Sequence, residues 1–237
     1  MLLTQKTTIK SELWFESKDF KQTEFNGALK TVDDRVRKIR IGVANIDTQD
    51  LKGRTIATFE VHQGLGEVAG AMKNSSLLSS RSFSKADNNF THLNPTLLRA
   101  QSITDRWLLI GRLSGQYGFE PQVAGEQWAI GGMNSVHGHQ ASVYLGDSGF
   151  TTNLESRYTL LKTKRSKYEF LLFGDQGTTY LDKPALRQKA RKTIAGAGVG
   201  LGADLYDALD VRLDWGFPIG PVTSDKSIFY FEVQYSF

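Results

Sequence analysis

Apolar and polar side chains alternate through long stretches of this chain, and the polar set places charges in the middle of extended segments. At the C-terminus Phe229, Phe231, Val233, Tyr235 and Phe237 fall on one face, and Tyr230, Glu232, Gln234 and Ser236 on the other. Just before it, Leu209, Val211, Leu213, Trp215 and Phe217 oppose Asp210, Arg212 and Asp214. Charges on the inner face of a strand need water or counter-charges, which a barrel lumen supplies and a dry core does not.

The same period runs upstream. Ala197, Val199, Leu201, Ala203 and Leu205 alternate with Gly196, Gly198, Gly200 and Gly202, and a row of inner-face glycines leaves room for something inserted beside the wall. Tyr168, Phe170 and Leu172 alternate with Glu169, Leu171, Phe173 and Asp175, while Leu154, Ser156, Tyr158 and Leu160 oppose Asn153, Glu155, Arg157 and Thr159. Further strands are expected over residues 107–117, 9–15, 36–46, 55–65 and roughly 90–102, the last weakened by Pro95, which has no N–H for a ladder. The expected fold is therefore an all-β, antiparallel transmembrane barrel wall of about ten strands.

Period-two strands alone would fit a soluble sandwich as well. The connections decide between the two: some are short, as at residues 102–105, and others long, as at residues 66–89 and 121–150. Long structureless loops are uncommon in compact soluble domains and expected on one rim of an outer-membrane barrel. The stretch 73–89, rich in Ser, Asn and Lys, reads as a mobile loop. Trp107, Trp128, Trp215, Tyr158 and Tyr168 are candidates for interfacial girdles or for ordinary packing.

Composition removes other classes. No run approaches the ~18 apolar residues of a membrane helix, so a helical membrane protein is excluded. There is no cysteine for a disulfide framework or thiolate metal site. The net charge of +4 is spread along the chain without the clustered stripe of a nucleic-acid reader, so no nucleic-acid partner is expected. His137, His139 and Asp147 lack a further ligand at a recognisable metal spacing, and the glycines of residues 196–202 lack a Walker Lys-Ser/Thr. Ser135 or Ser148 could be drawn into a triad with His137 and Asp175, but no nucleophile elbow supports one. No enzyme, metal or cofactor is expected.

The segment GGMNSVHGHQASVYLGDSGF (residues 131–150) resembles the Gly-Gly…Ser-Val-Arg-Gly-Tyr…Gly-Asp-Ser-Gly signature of two-partner secretion transporters. These are the TpsB or haemolysin-activator type within the BamA-like superfamily. Phe173, Asp175 and Gly177 match that superfamily's Phe-x-Asp-x-Gly strand, and the glycine-alternating strand, DWGFPIG and the terminal FYFEVQYSF resemble the last three strands of such barrels, in order. The resemblance is good over residues 107–237 and looser before that.

It implies a sixteen-stranded barrel of which this chain supplies strands seven to sixteen. Residues 1–237 would form the C-terminal part of the barrel, without the periplasmic polypeptide-transport-associated domains; because lipid does not tolerate unpaired strand edges, the chain is expected to be a fragment of a larger barrel or to pair with a separately encoded N-terminal half. In the family the long loop folds into the lumen and its arginine meets the aspartate on the wall. Carried over, the inward loop motif is Gly131, Gly132, Ser135, Val136, His137, Gly138 and Asp147, with Phe173, Asp175 and Gly177 on the wall and Glu155 as a possible second acceptor. Histidine stands at the arginine position and carries a charge only when protonated. Phe229, Phe231, Tyr235 and Phe237 resemble the terminal signal read by the barrel-insertion machinery.

The implied function is export of a secreted partner protein across the outer membrane of a Gram-negative bacterium, in contact with its lipid. A passive porin-like channel or a structural barrel is the alternative, and neither requires an inward loop motif.

Overall fold

A computed structural model describes residues 6–24, 29–74, 76–206, 208–220 and 226–236. Ten strands form one antiparallel sheet in sequence order: β1 (Lys6–Glu24), β2 (Leu29–Asp50), β3 (Gly53–Gly64), β4 (Thr91–Ser102), β5 (Trp107–Gly118), β8 (Ser148–Lys162), β9 (Ser166–Tyr180), β10 (Arg191–Leu205), β11 (Leu209–Ile219) and β12 (Ile228–Tyr235). Two short strands, β6 (Trp128–Ile130) and β7 (Tyr144–Gly146), pair as a separate ribbon inside the β5–β8 connection. All ten segments read from alternation are strands.

β1 and β2 run well past the expected stretches at residues 9–15 and 36–46. A tilted strand crosses a bilayer in about 9–11 residues, so these two project beyond it. The added part, residues 16–24 and 29–35, carries charge on both faces, as at the neighbours Lys18 and Asp19 and the neighbours Asp33 and Asp34, which hides it from an apolar pattern. Pro95 lies within β4. It pairs with Phe59 of β3, while the β4–β5 ladder passes from the pair Leu93 and Tyr117 to the pair Thr96 and Ser114. The missing N–H costs the ladder locally without ending the strand.

Connections alternate in size. Tight turns join β2 to β3, β4 to β5, β8 to β9 and β10 to β11, and the long excursions over residues 65–90 and 119–147 lie on the opposite rim. The β5–β8 excursion touches Lys18 of β1 through Glu126 and Tyr230 of β12 through Gly138. A loop that reaches both edge strands of one sheet is surrounded by it, so the sheet curves into a wall with this loop inside. β1 and β12 do not pair with each other among the described residues.

The described residues of the stretch 73–89, read from composition as a mobile loop, make defined contacts: Ala86 joins the flanking Met72 and Phe90 in an apolar cluster with Val36 of β2 and Val123 of the β5–β8 loop, and the Asn88 side chain donates to the carbonyls of Arg37 and Gly66. Their polar side chains serve as backbone partners, a role that composition does not reveal. Trp128 also departs from girdle membership, since it sits on the inner ribbon against a cluster of Ile130, Val136 and Ile194. Trp107, Tyr158, Tyr168 and Trp215 are half-exposed on the outer face of the wall.

Candidate functional site

The site is where the tip of the β5–β8 loop meets β9, β10, β11 and β12. The β6–β7 ribbon carries the chain inward, and Gly131 and Gly132 turn it: Gly132 N–H donates to the carbonyls of Val136 and His139, both at 3.1 Å, and Ser135 Oγ accepts Gly131 N–H at 3.3 Å. Val136 is fully buried and fills the space over Gly177 of β9, where a Cβ would stand 2.9 Å from its Cγ2 atom. Gly138 has φ +78°, a left-handed conformation that costs glycine little, and its N–H donates to Tyr230 Oη at 3.0 Å. Tyr230 Oη in turn donates to the His139 carbonyl at 2.9 Å.

These contacts deliver His137 to a buried pair of carboxylates. Its Nδ1 donates to Asp175 Oδ2 at 2.6 Å, and its backbone N–H donates to the same oxygen at 3.2 Å. Its Nε2 faces Asp214 Oδ2 of β11 at 3.4 Å, within ion-pair range but without the alignment of a hydrogen bond. The Phe173 ring lies beside the imidazole, centroids 4.1 Å apart, and Tyr230 meets it edge-on. Asn153 of β8 donates to Asp175 Oδ1 at 2.8 Å and so holds the carboxylate from its other side.

Burial disfavours the charged imidazole, but the hydrogen bond to Asp175 and the negative charges of Asp175 and Asp214 outweigh it and raise the histidine from 6.5 to about 9. His137 is therefore an imidazolium at neutral pH.

The glycine row on β10 receives this tip. The His137 carbonyl oxygen stands where a Gly196 side chain would begin, and Asp214 and Phe173 fill the places beside Gly200 and Gly198. The loop is thus accommodated by absent side chains as much as held by charged ones.

Two expected members stand elsewhere. Glu155 is not an acceptor for His137: it accepts from Arg212 at 2.7 Å and from Arg157, and these two basic neighbours draw it along the wall. Arg212 also donates to Asp214 at 2.7 Å, so Glu155 joins the site at the end of a string of alternating charges running from Asp175 through His137, Asp214 and Arg212. Asp147 is at the root of the loop, far from the tip. It accepts from Arg81 of the β3–β4 loop and from the backbone N–H groups of Gln122 and Asp182, both at 2.7 Å, so it fastens three loops together. The paper triad of Ser135 or Ser148 with His137 is not assembled: Ser135 Oγ serves the turn and Ser148 Oγ accepts Gly118 N–H.

Asp214 and Tyr230 were the unassigned members. Alternation already put both on the inner face, but nothing local in sequence says that residues 77 and 93 positions beyond His137 meet it. On β12, Phe229, Phe231 and Tyr235 point outward and are exposed, with Phe229 stacked on Trp215 at 4.9 Å; Phe237 lies outside the described residues.

The model of the haemolysin secretion/activation protein family ShlB/FhaC/HecB matches residues 3–203. The structure is similar to that of CdiB from Escherichia coli, with a TM-score of 0.79 at 18% sequence identity, covering 98% of this chain and 42% of that one. The chain thus spans less than half the length of that protein. No curated protein matches its sequence.

Proposed function

The chain belongs to the haemolysin secretion/activation family ShlB/FhaC/HecB, and from that premise we propose that it is the C-terminal part of an outer-membrane pore exporting a secreted partner polypeptide from a Gram-negative cell. The observation that carries this reading is the loop tip held inside the wall by His137, Asp175 and Asp214. A diffusion channel needs no such clamp, whereas an export pore must stay shut between passages of cargo. Residues 131–138 act as a latch on the inner wall, and Asp147 holds the loop's root. The cargo enters unfolded, displaces the latch and is drawn outward by its own folding, without nucleotide or catalytic chemistry.

The open edges at β1 and β12 fit the same proposal. Lipid does not tolerate unpaired strand edges, so further barrel strands, on this polypeptide or on a separately encoded half, close the wall in the membrane. The outward aromatic residues of β12 and the terminal Phe237 serve insertion by the barrel-assembly machinery.

Co-expression of the full-length protein with its secreted partner tests the export role, read as partner released into the medium. Release falls to background when the transporter gene is deleted and returns when it is supplied in trans. Undiminished release from the deletion strain would refute it.

A further inference from the structure

A second buried cluster lies at the opposite end of the same loop and takes no part in the latch. His62 of β3 and His92 of β4 stack with ring centroids 4.3 Å apart, and Glu126 descends onto them from the loop's root. All three are buried, and one ligand atom from each lies within 4.8 Å of the other two.

Groups outside the cluster hold the far nitrogens of both imidazoles. Glu60 Oε2 stands 3.3 Å from His62 Nε2, and Asn94 Oδ1 stands 2.6 Å from His92 Nδ1. Both are acceptors, and an imidazole that donates its one proton outward turns the lone pair of its other nitrogen inward. His92 Nε2 faces Glu126 Oε2 at 3.4 Å, a hydrogen bond when that nitrogen is protonated and acceptor against acceptor when it is not, with His62 Nδ1 beside them. In the second state a cation is needed between them. Outer acceptors on the far nitrogens of two imidazoles are also what orients histidine toward a metal.

Two cations hold Glu126 in this structure. Lys18 Nζ of β1 is 3.0 Å from its Oε1, and Lys38 Nζ of β2 is 2.5 Å from its Oε2 and 3.1 Å from His62 Nδ1, with Glu16 Oε2 of β1 at 3.4 Å from Lys38 on its other side. We propose that His62, His92 and Glu126 form a site for a divalent transition metal of the zinc class, which displaces the Lys38 ammonium onto Glu16. Two imidazoles, a carboxylate and one open position are a zinc donor set. Ligand bonds of about 2.0–2.2 Å require the three groups to close up, with Glu126 Oε2 exchanging Lys38 for the metal while Lys18 keeps its Oε1. Bound metal would fasten the root of the latch-bearing loop to β3 and β4, whichever cargo the pore carries.

The test is titration of the full-length protein, purified in detergent and stripped with EDTA, with Co²⁺ followed by Zn²⁺ competition. One equivalent of Co²⁺ binds with the visible absorption of a four-coordinate site, and Zn²⁺ removes that absorption. Lys38→Met binds more tightly, Asn94→Ala binds about 10–100-fold more weakly, and His62→Gln and His92→Gln abolish binding while retaining the heat-modifiable gel shift of a folded barrel. His139→Gln leaves it unchanged. The proposal is overturned if the wild-type protein takes up no stoichiometric metal, even where Lys38→Met does, or if binding survives both His62→Gln and His92→Gln.

Discussion

In the proposed latch the charge at the loop tip belongs to a histidine, so it depends on pH. His137 is pulled up to about 9 against burial by Asp175 on β9 and Asp214 on β11, with Arg212 neutralising part of Asp214 and Tyr230 closing the other side. A raised pKa stabilises the folded contact fully below the unfolded value of 6.5, and the gain is lost as pH rises through about 9. The lost anchoring is on the order of 3 kcal/mol. In planar bilayers, openings of the wild-type pore should grow more frequent between pH 7 and pH 10, and His137→Arg, with a charge that persists, should flatten that rise. A profile identical in the two proteins would contradict the ionic latch. Asp175→Ala leaves the imidazolium with a single, poorly aligned partner in a buried site, a class of change that costs about 3–5 kcal/mol, and it should open the pore at neutral pH. Wild-type conductance in that variant would show that the tip is held by packing alone.

At the scale of elements, strands were legible and loops were not. Two-residue alternation reports which way a side chain faces, so Asp175, Asp214, Arg212 and Tyr230 could all be placed on the inner wall from sequence. Pro95 reads as a flaw in a strand because sequence cannot show that its pairing with β3 survives while only the β5 side opens. The loops resisted for a different reason. Arg81 and Asp147, Glu126 and Lys38, and His137 and Asp214 are ion pairs closed over long stretches of chain, and neither composition nor local spacing records them. Asp147 shows the limit of transferring a motif, since it belongs to the same segment as His137 yet fastens the root. Arg81→Ala should therefore loosen the β3–β4 loop and leave the tip in place, read as new protease cleavage within residues 73–89 without an added cut within residues 131–143. Cleavage at both would mean that the two loops move as one body. On β12, Phe231→Arg sets a charge on the lipid face and should cost assembly about 2–4 kcal/mol if that residue lies near the bilayer midplane, read as loss of the heat-modifiable species from outer membranes. Deleting Phe237 should likewise lower assembly, and normal assembly of both variants would count against this face as the insertion signal.

Across the whole molecule, the two buried charge clusters sit at opposite ends of one loop. The tip is tied to β9 and β11 and the root to β1 and β2, so the loop crosses the space enclosed by the sheet and braces its two flanks. The sheet bends around that brace, and among the described residues β1 and β12 do not pair with each other, as the proposal of further barrel strands requires. The account stands on the tip lying against the inner face of β9, and the absence of cysteine from these 237 residues makes that position directly measurable. A Val136→Cys, Gly177→Cys pair joins two residues in contact across the loop and wall, whereas Val136→Cys with Leu172→Cys pairs the tip with the outer face of the same strand. Oxidation of intact outer membranes should form the first disulfide and not the second. No cross-link in the first pair, or equal cross-linking in both, would contradict a latch inside the barrel.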